Sequence, residues 1–173
     1  MKIQYKADAV AVGGRDGQVS VSGSPVRFEM ALPGELGGKK EVGFNPEQLF
    51  AAGYAACFGS AIQHVFKVRR LTLPAPEVQV SVGIGRNESG GFQLAADITV
   101  IFTGVDQPAA DTIIAEAHQV CPYSNATRGN IDVNLTAKVA PEAFRAAHAW
   151  GKALLLRETQ VHKTPGETDQ GWG

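Results

Sequence analysis

The chain has 173 residues and a mass of 18.3 kDa, 44% of it hydrophobic and 19% charged, enough for one compact core and too little for two comfortable domains. Sixteen Lys and Arg stand against seventeen Asp and Glu, a net charge of -1 with a pI near 6.4, and no basic block is present that would neutralise a row of phosphates, which argues against a nucleic-acid partner. Two cysteines, Cys57 and Cys121, are too few for a disulfide scaffold and cannot by themselves form a four-ligand zinc site.

The opening MKIQYKADAV alternates charged and apolar residues without an apolar run, so it does not read as a secretory signal and the expected compartment is the cytoplasm. Ile3, Tyr5, Ala7 and Ala9 have the period of a half-buried strand. GGRDG at 13–17 supplies a turn, and short strands follow at Gln18–Ser22 and Val26–Leu32. After the Gly-rich stretch PGELGGKKEVG, Asn45 is an N-cap, Pro46 suits the first helical position and Glu47 places a negative charge in the first turn. The helix body, LFAAGYAACFGSAIQHVFK, is apolar nearly all round, the pattern of a helix surrounded by protein. Residues 48–66 carry no formal charge, but Gln48, Ser60, Gln63 and His64 make them too polar for a bilayer span of about 20 residues.

Val78, Val80, Val82 and Ile84 alternate again, Asn87–Gly91 turns, and Phe92–Phe102 returns as the second strand of a hairpin. The GIG at 83–85 lies within a strand and lacks the third glycine of a dinucleotide fingerprint. A second helix runs from Asp106 to about Val120 and is broken by Cys121-Pro122, and Ile131–Val139 forms a last strand. The order is βββαββαβ, an α+β fold with central apolar helices packed on antiparallel sheets. Beyond Pro141, Phe144, Ala147, Leu154 and Leu155 have helical spacing and Thr159–Gly173 is polar, so 141–173 reads as an appended helix and tail after a domain of residues 1–140.

Each cysteine taken alone is a small buried hydrophobe or a redox thiol. Burial raises a thiol pKa, so a reactive Cys57 requires a nearby cation. Arg15, among three glycines, is either a solvated turn arginine or that cation. Glu47 either answers the helix dipole or orients Arg15 through a two-point pair. His64, His118, His148 and His162 lack metal-ligand spacing, and no metal is implied.

GFNPEQLFAAGYAACFGSAI and HQVCPYSNATRGNIDV, with GGRDG near the start, together resemble the organic hydroperoxide resistance (Ohr) branch of the OsmC/Ohr family of thiol peroxidases, over residues 1 to about 140. The resemblance implies an intertwined α+β homodimer with two active sites at the subunit interface. It implies Cys57 as the peroxidatic cysteine, Cys121 as the resolving cysteine, and Arg15 and Glu47 as their partners. It also implies an organic hydroperoxide substrate, no bound cofactor, and an external dithiol reductant such as dihydrolipoamide or a lipoylated protein. The expected chemistry is a Cys57 sulfenic acid resolved to a Cys57–Cys121 disulfide, with no nucleic-acid or membrane partner. Phe44, Phe50, Phe58 and Phe92 are candidates for the apolar lining of the substrate site.

Glu47 and Cys57 are ten positions apart, so on one continuous helix roughly 15 Å of rise separates them. Either the helix breaks near Gly53, or Arg15 and Glu47 serve the Cys57 of the other subunit; a nearly all-apolar helix needs a second protein surface and points to the latter. Rival readings are a redox sensor or chaperone-like binding protein, and a hydrophobic-ligand carrier in which Cys57 is merely core.

Overall fold

A computed structural model describes residues 1–40 and 42–144. Two three-stranded sheets and three helices follow in the order β1 (Ala9–Val12), β2 (Gln18–Val21), β3 (Arg27–Glu29), α1 (Pro46–Arg69), β4 (Glu77–Arg86), β5 (Phe92–Phe102), α2 (Gln107–Val120), α3 (Pro122–Thr127) and β6 (Val133–Val139). This is the expected α+β order with one short helix added. Cys121-Pro122 ends α2 as anticipated, but Pro122 is also a favourable first residue for a new helix, and α3 starts there.

The first strand is shorter and later than the alternation of Ile3–Ala9 predicts. β1 pairs antiparallel with β2 from Ala9 opposite Val21 to Val12 opposite Gln18. Ser22 N–H still reaches the Asp8 carbonyl, at 2.9 Å, and then the chain turns back, Ser24 N–H bonding the Val21 carbonyl. Among the described residues, 2–7 therefore have no strand opposite them, and they are exposed. β3 likewise stops at Glu29, short of the expected Leu32, because Met30 and Ala31 turn to the segment before α1. Met30 bridges Phe44 in parallel, and Ala31 N–H donates to the Phe44 carbonyl at 2.8 Å.

The second sheet has the order β4-β5-β6. β4 and β5 form the expected antiparallel hairpin, but β6 lies parallel to β5, so the sheet is mixed where antiparallel pairing was expected. The reason is the connection: a parallel neighbour requires a crossover of a dozen or more residues, and α2 with α3 provides it. The GIG segment sits inside β4.

α1 is capped as its sequence predicts. Asn45 accepts from the Gln48 backbone N–H at 2.8 Å while the Gln48 side chain accepts from the Asn45 N–H at 2.9 Å, a reciprocal capping box. The helix is continuous for 24 residues, so the alternative of a break at Gly53 is excluded. By length and composition Pro46–Arg69 passes for a bilayer span, which corrects the expectation that its polar residues make it too polar for one; within the chain its buried face supplies the core of the fold. Tyr54, Phe58, Ala61, Ile62, Val65 and Phe66 form one buried face. They pack on Ala96, Ile98, Val100 and Phe102, the inward alternation of β5, and on Ile113, Ile114 and Ala117 of α2. Each large apolar side chain so buried contributes about 1.5–3 kcal/mol. Burial is one-sided: Ala52, Ala56 and Ser60, four apart on the other face, are exposed. The helix surrounded by protein that the sequence predicts is thus half covered within one chain. The appended helix and tail expected over 141–173 lie, from residue 145 onward, outside the described residues.

Candidate active site

Cys57 lies at mid-α1, between the buried Tyr54 and Phe58, and is partly exposed. Cys121 terminates α2 with extended backbone angles, its N–H bonded to the Ala117 carbonyl at 2.9 Å, and is fully buried. The reversal at Cys121-Pro122 brings the two sulfurs to 3.5 Å. One thiol thus faces outward and the second stands directly behind it.

Burial pushes the Cys57 thiol above its ordinary pKa; the backbone N–H of Tyr123, at the start of α3, pulls the other way, and Cys121 adds to the rise. Tyr123 also packs its ring against Phe50 (centroids 5.8 Å apart) and Tyr54 (5.6 Å). Gly53 makes this possible: a Cβ there would fall 2.9 Å from the Tyr123 hydroxyl and 3.3 Å from its ring. The Phe50–Tyr123 pair therefore borders the cysteine site.

The second cluster is Arg15 with Glu47. Two guanidinium nitrogens donate to the two carboxylate oxygens at 2.8 and 2.6 Å, a two-point pair in which Glu47 is the more buried partner. The Arg15 hydrogen bond holds the Glu47 carboxyl below its usual range, and the same bond raises the Arg15 pKa. The sequence reaches this geometry through glycines. Gly13 has φ of +80°, and a Cβ on Gly17 would lie 1.7 Å from the Val12 carbonyl oxygen, so the chain can close a tight loop around Arg15 only with glycine at these positions. Met30 then connects this loop to the start of α1: its N–H donates to the Gly17 carbonyl at 2.8 Å while Met30 bridges Phe44. The Lys40 ammonium bonds the Asp16 carbonyl and, at 3.3 Å, the Met30 carbonyl.

The structure thus pairs Cys57 with Cys121 and Arg15 with Glu47, but it does not bring the two pairs together within one chain. Glu47 is in the first turn of α1 and Cys57 ten residues further on, roughly 15 Å along the axis. A cleft of about 550 Å³ opens beside Glu47, walled by Leu36, Ala51, Val80, Val82 and Ile84.

The four phenylalanines separate. Phe58 is fully buried against Tyr54, which corrects its expected place in an accessible lining: it is core. Phe50 stands at the cysteine site. Phe44 packs edge-on against Phe28 next to α1, and Phe92 is two-thirds exposed at the hairpin end with the Arg86 guanidinium 5.1 Å above its ring. Sequence reasoning missed Tyr123, Lys40 and the buried hydroxyls of Tyr54, Ser124 and Thr127. The available signal was a tyrosine in an otherwise apolar helix, since a buried phenol requires a polar partner.

Comparison with known proteins agrees with this architecture. Residues 37–136 match the family model described as OsmC-like protein. An organic hydroperoxide resistance protein of Xanthomonas axonopodis pv. citri (strain 306) is 48% identical over 136 residues, 78% of this chain and 95% of that protein. Organic hydroperoxide resistance protein OhrB of Bacillus subtilis (strain 168) is 41% identical over 137 residues, 78% of this chain and 98% of the relative. The crystal structure of an organic hydroperoxide resistance protein from Elizabethkingia anophelis superposes with a TM-score of 0.77 at 46% identity, covering 81% of this chain and all of the other. With the family model spanning more than half of its length and relatives this similar over three quarters of it, the chain belongs to the OsmC/Ohr family.

Proposed function

We propose that this protein is a cysteine-based peroxidase that reduces organic hydroperoxides, with a role in oxidative-stress defence. The relatives named for organic hydroperoxide resistance support hydroperoxide detoxification as the role. The observation that carries the mechanism is the 3.5 Å approach of a partly exposed Cys57 to a fully buried Cys121.

The Cys57 thiolate attacks one peroxide oxygen; the S–O bond forms as the O–O bond breaks, and the departing alkoxide takes a proton to leave as alcohol. The product is a Cys57 sulfenic acid. Cys121 then attacks that sulfur: an S–S bond replaces the S–O bond, and hydroxide leaves with the Cys121 proton as water. An external dithiol of the lipoyl type returns both thiols by two exchange steps and is itself oxidised to a disulfide. No resident cofactor is required, and a reducing cytoplasm is the fitting compartment.

Arg15 holds the thiolate and stabilises charge on the breaking O–O bond, and Glu47 fixes its orientation. These two act on the Cys57 of a second copy in a homodimer. The continuous α1 supports this reading by keeping Glu47 a helical distance from its own Cys57, and the uncovered face at Ala52, Ala56 and Ser60 suits closure by another protein surface. Phe50 and Phe44 meet the apolar alkyl or fatty-acid group in this reading, which the packing of Phe50 on Tyr123 and of Phe44 on Phe28 before α1 supports.

The test is intact mass and free-thiol count of the reduced protein after one equivalent of cumene hydroperoxide, followed by turnover with dihydrolipoamide. Loss of two hydrogens and both thiols, and sustained consumption of peroxide with the dithiol, is the expected result. An unchanged mass with both thiols retained would overturn the peroxidase reading.

A further inference from the structure

We propose that Tyr54 is a positioning residue for the resolving half of the cycle, acting through a buried ring of hydroxyls that holds Cys121 against Cys57. The inference rests on the thiol cycle above and adds to it a residue that makes no contact with peroxide.

Tyr54 and Ser124 are fully buried and Thr127 nearly so. The Tyr54 hydroxyl lies 3.0 Å from Ser124 Oγ and 3.2 Å from Thr127 Oγ1, while Thr127 Oγ1 lies 3.2 Å from the Ser124 carbonyl oxygen. Proton counting orients the ring. A carbonyl only accepts, so the single Thr127 proton goes to the Ser124 carbonyl, and Thr127 Oγ1 must accept from Tyr54. The Tyr54 proton is then used, and its oxygen accepts from Ser124. Every hydroxyl proton has one destination, and Tyr54 is the member that joins α1 to α3.

Two features make this a device for Cys121 rather than general packing. α3 has six residues, too few to be fixed by helix formation alone, so its position depends on what it is tied to. Its first turn is built on Cys121 itself: the Asn125 N–H donates to the Cys121 carbonyl at 2.9 Å, and Ser124 is three residues from that sulfur. At the other end of the ring, Tyr54 precedes Cys57 by three residues, so the two side chains lie on one face of α1, one turn apart. A single turn of α1 therefore carries the attacked sulfur and clamps the helix that delivers the attacking one. Removing the phenol hydroxyl leaves the Ser124 hydroxyl without its acceptor and Thr127 bonded only within α3, so the tie to α1 is lost and α3 is free to shift, and small displacements of reacting atoms cost large factors in rate.

Resolution competes with over-oxidation, in which a second peroxide converts the sulfenic acid to sulfinic acid and is itself reduced to alcohol. Only the second process depends on peroxide concentration, so the concentration that traps half of the protein as sulfinic acid reports the resolving rate. The experiment titrates reduced full-length protein with cumene hydroperoxide and reads disulfide against sulfinic acid by intact mass. The proteins compared are the wild type, Tyr54→Phe, Thr127→Val and Ile62→Val, the last a core change on α1 outside the ring.

The half-trapping concentration is expected to fall about ten-fold or more in Tyr54→Phe and to fall in Thr127→Val, with Ile62→Val unchanged. Thr127→Val carries the comparison should Tyr54→Phe fail to fold. A half-trapping concentration equal to the wild type in the folded ring variants would overturn the inference while leaving the peroxidase reading intact. An equal fall in Ile62→Val would overturn it as a general effect of lost stability. A wild type that forms no disulfide would overturn both.

Discussion

The sulfurs of Cys57 and Cys121, 64 positions apart in sequence, stand 3.5 Å from each other with one of them reachable from outside and the other sealed. That asymmetry is the basis of the peroxidatic and resolving roles proposed for them. Cys57→Ser is expected to reduce peroxide consumption to background, and Cys121→Ser to complete one reaction, gain one oxygen and then stall or take up a second. Intact mass after one and then ten equivalents of cumene hydroperoxide checks both.

Burial raises the Cys57 pKa in the isolated chain, and in the proposed mechanism the Arg15 cation of a second copy offsets it. Arg15→Ala is expected to lower kcat/KM by about 100-fold, as loss of a preorganised charge-stabilising donor does. It should also move the pH midpoint of Cys57 alkylation upward, since a thiolate without its cation forms at higher pH. Arg15→Lys should recover only part of the rate, having a point charge without the two-point fork that meets Glu47. Iodoacetamide rates from pH 5 to 10 provide the readout.

The proposed sharing of the site between two copies predicts complementation. Arg15→Ala alone is expected to keep about a hundredth of wild-type activity and Cys57→Ser alone to fall to background. After the two are unfolded together and refolded, half of the dimers are mixed, and each mixed dimer holds one intact site, restoring roughly a quarter of wild-type activity. No recovery from a mixture shown by mass to contain mixed dimers would mean that Arg15 serves its own chain.

Glu47 links the site to acid stability. Its folded-state pKa lies below the ordinary 4.5 because Arg15 donates to it. The pair therefore stabilises the fold fully above that ordinary value, and the contribution disappears as pH falls through the lower folded-state pKa. Glu47→Gln is expected to cost about 1 kcal/mol at pH 7 and progressively less toward pH 3. Urea midpoints at the two pH values measure the difference.

Local signals in this chain are strong where a residue acts on its neighbours. Asn45, Pro46 and Gln48 place the start of α1 because capping groups act within a single turn, and the alternation of Val78–Ile84 and Phe92–Phe102 identifies the hairpin because side-chain period follows from strand geometry. Cys57, Cys121, Arg15 and Glu47 are singled out by the motifs that contain them, and the structure pairs the two cysteines with each other and Arg15 with Glu47. Where pairing depends on distant chain, sequence reasoning failed. The alternation at Ile3–Ala7 has the strand period yet forms no strand with the other described residues, because pairing requires an opposite strand and β2 has already turned away. β6 carries the same period whether it runs parallel or antiparallel, and only the α2–α3 crossover sets its direction. Phe58 and Phe50 are chemically identical and lie with Tyr54 on one face of α1, so their different fates, core and site border, follow from position along the helix: Phe58 packs in the core, and Phe50, two turns nearer the N-terminus, meets Tyr123. The sequence by itself therefore determined the start of α1, the β4–β5 hairpin and which chemical groups are available, because those signals are local. Tertiary structure decided which of those groups meet, because a 3.5 Å contact across 64 residues depends on the packing of α1 against α2 and α3.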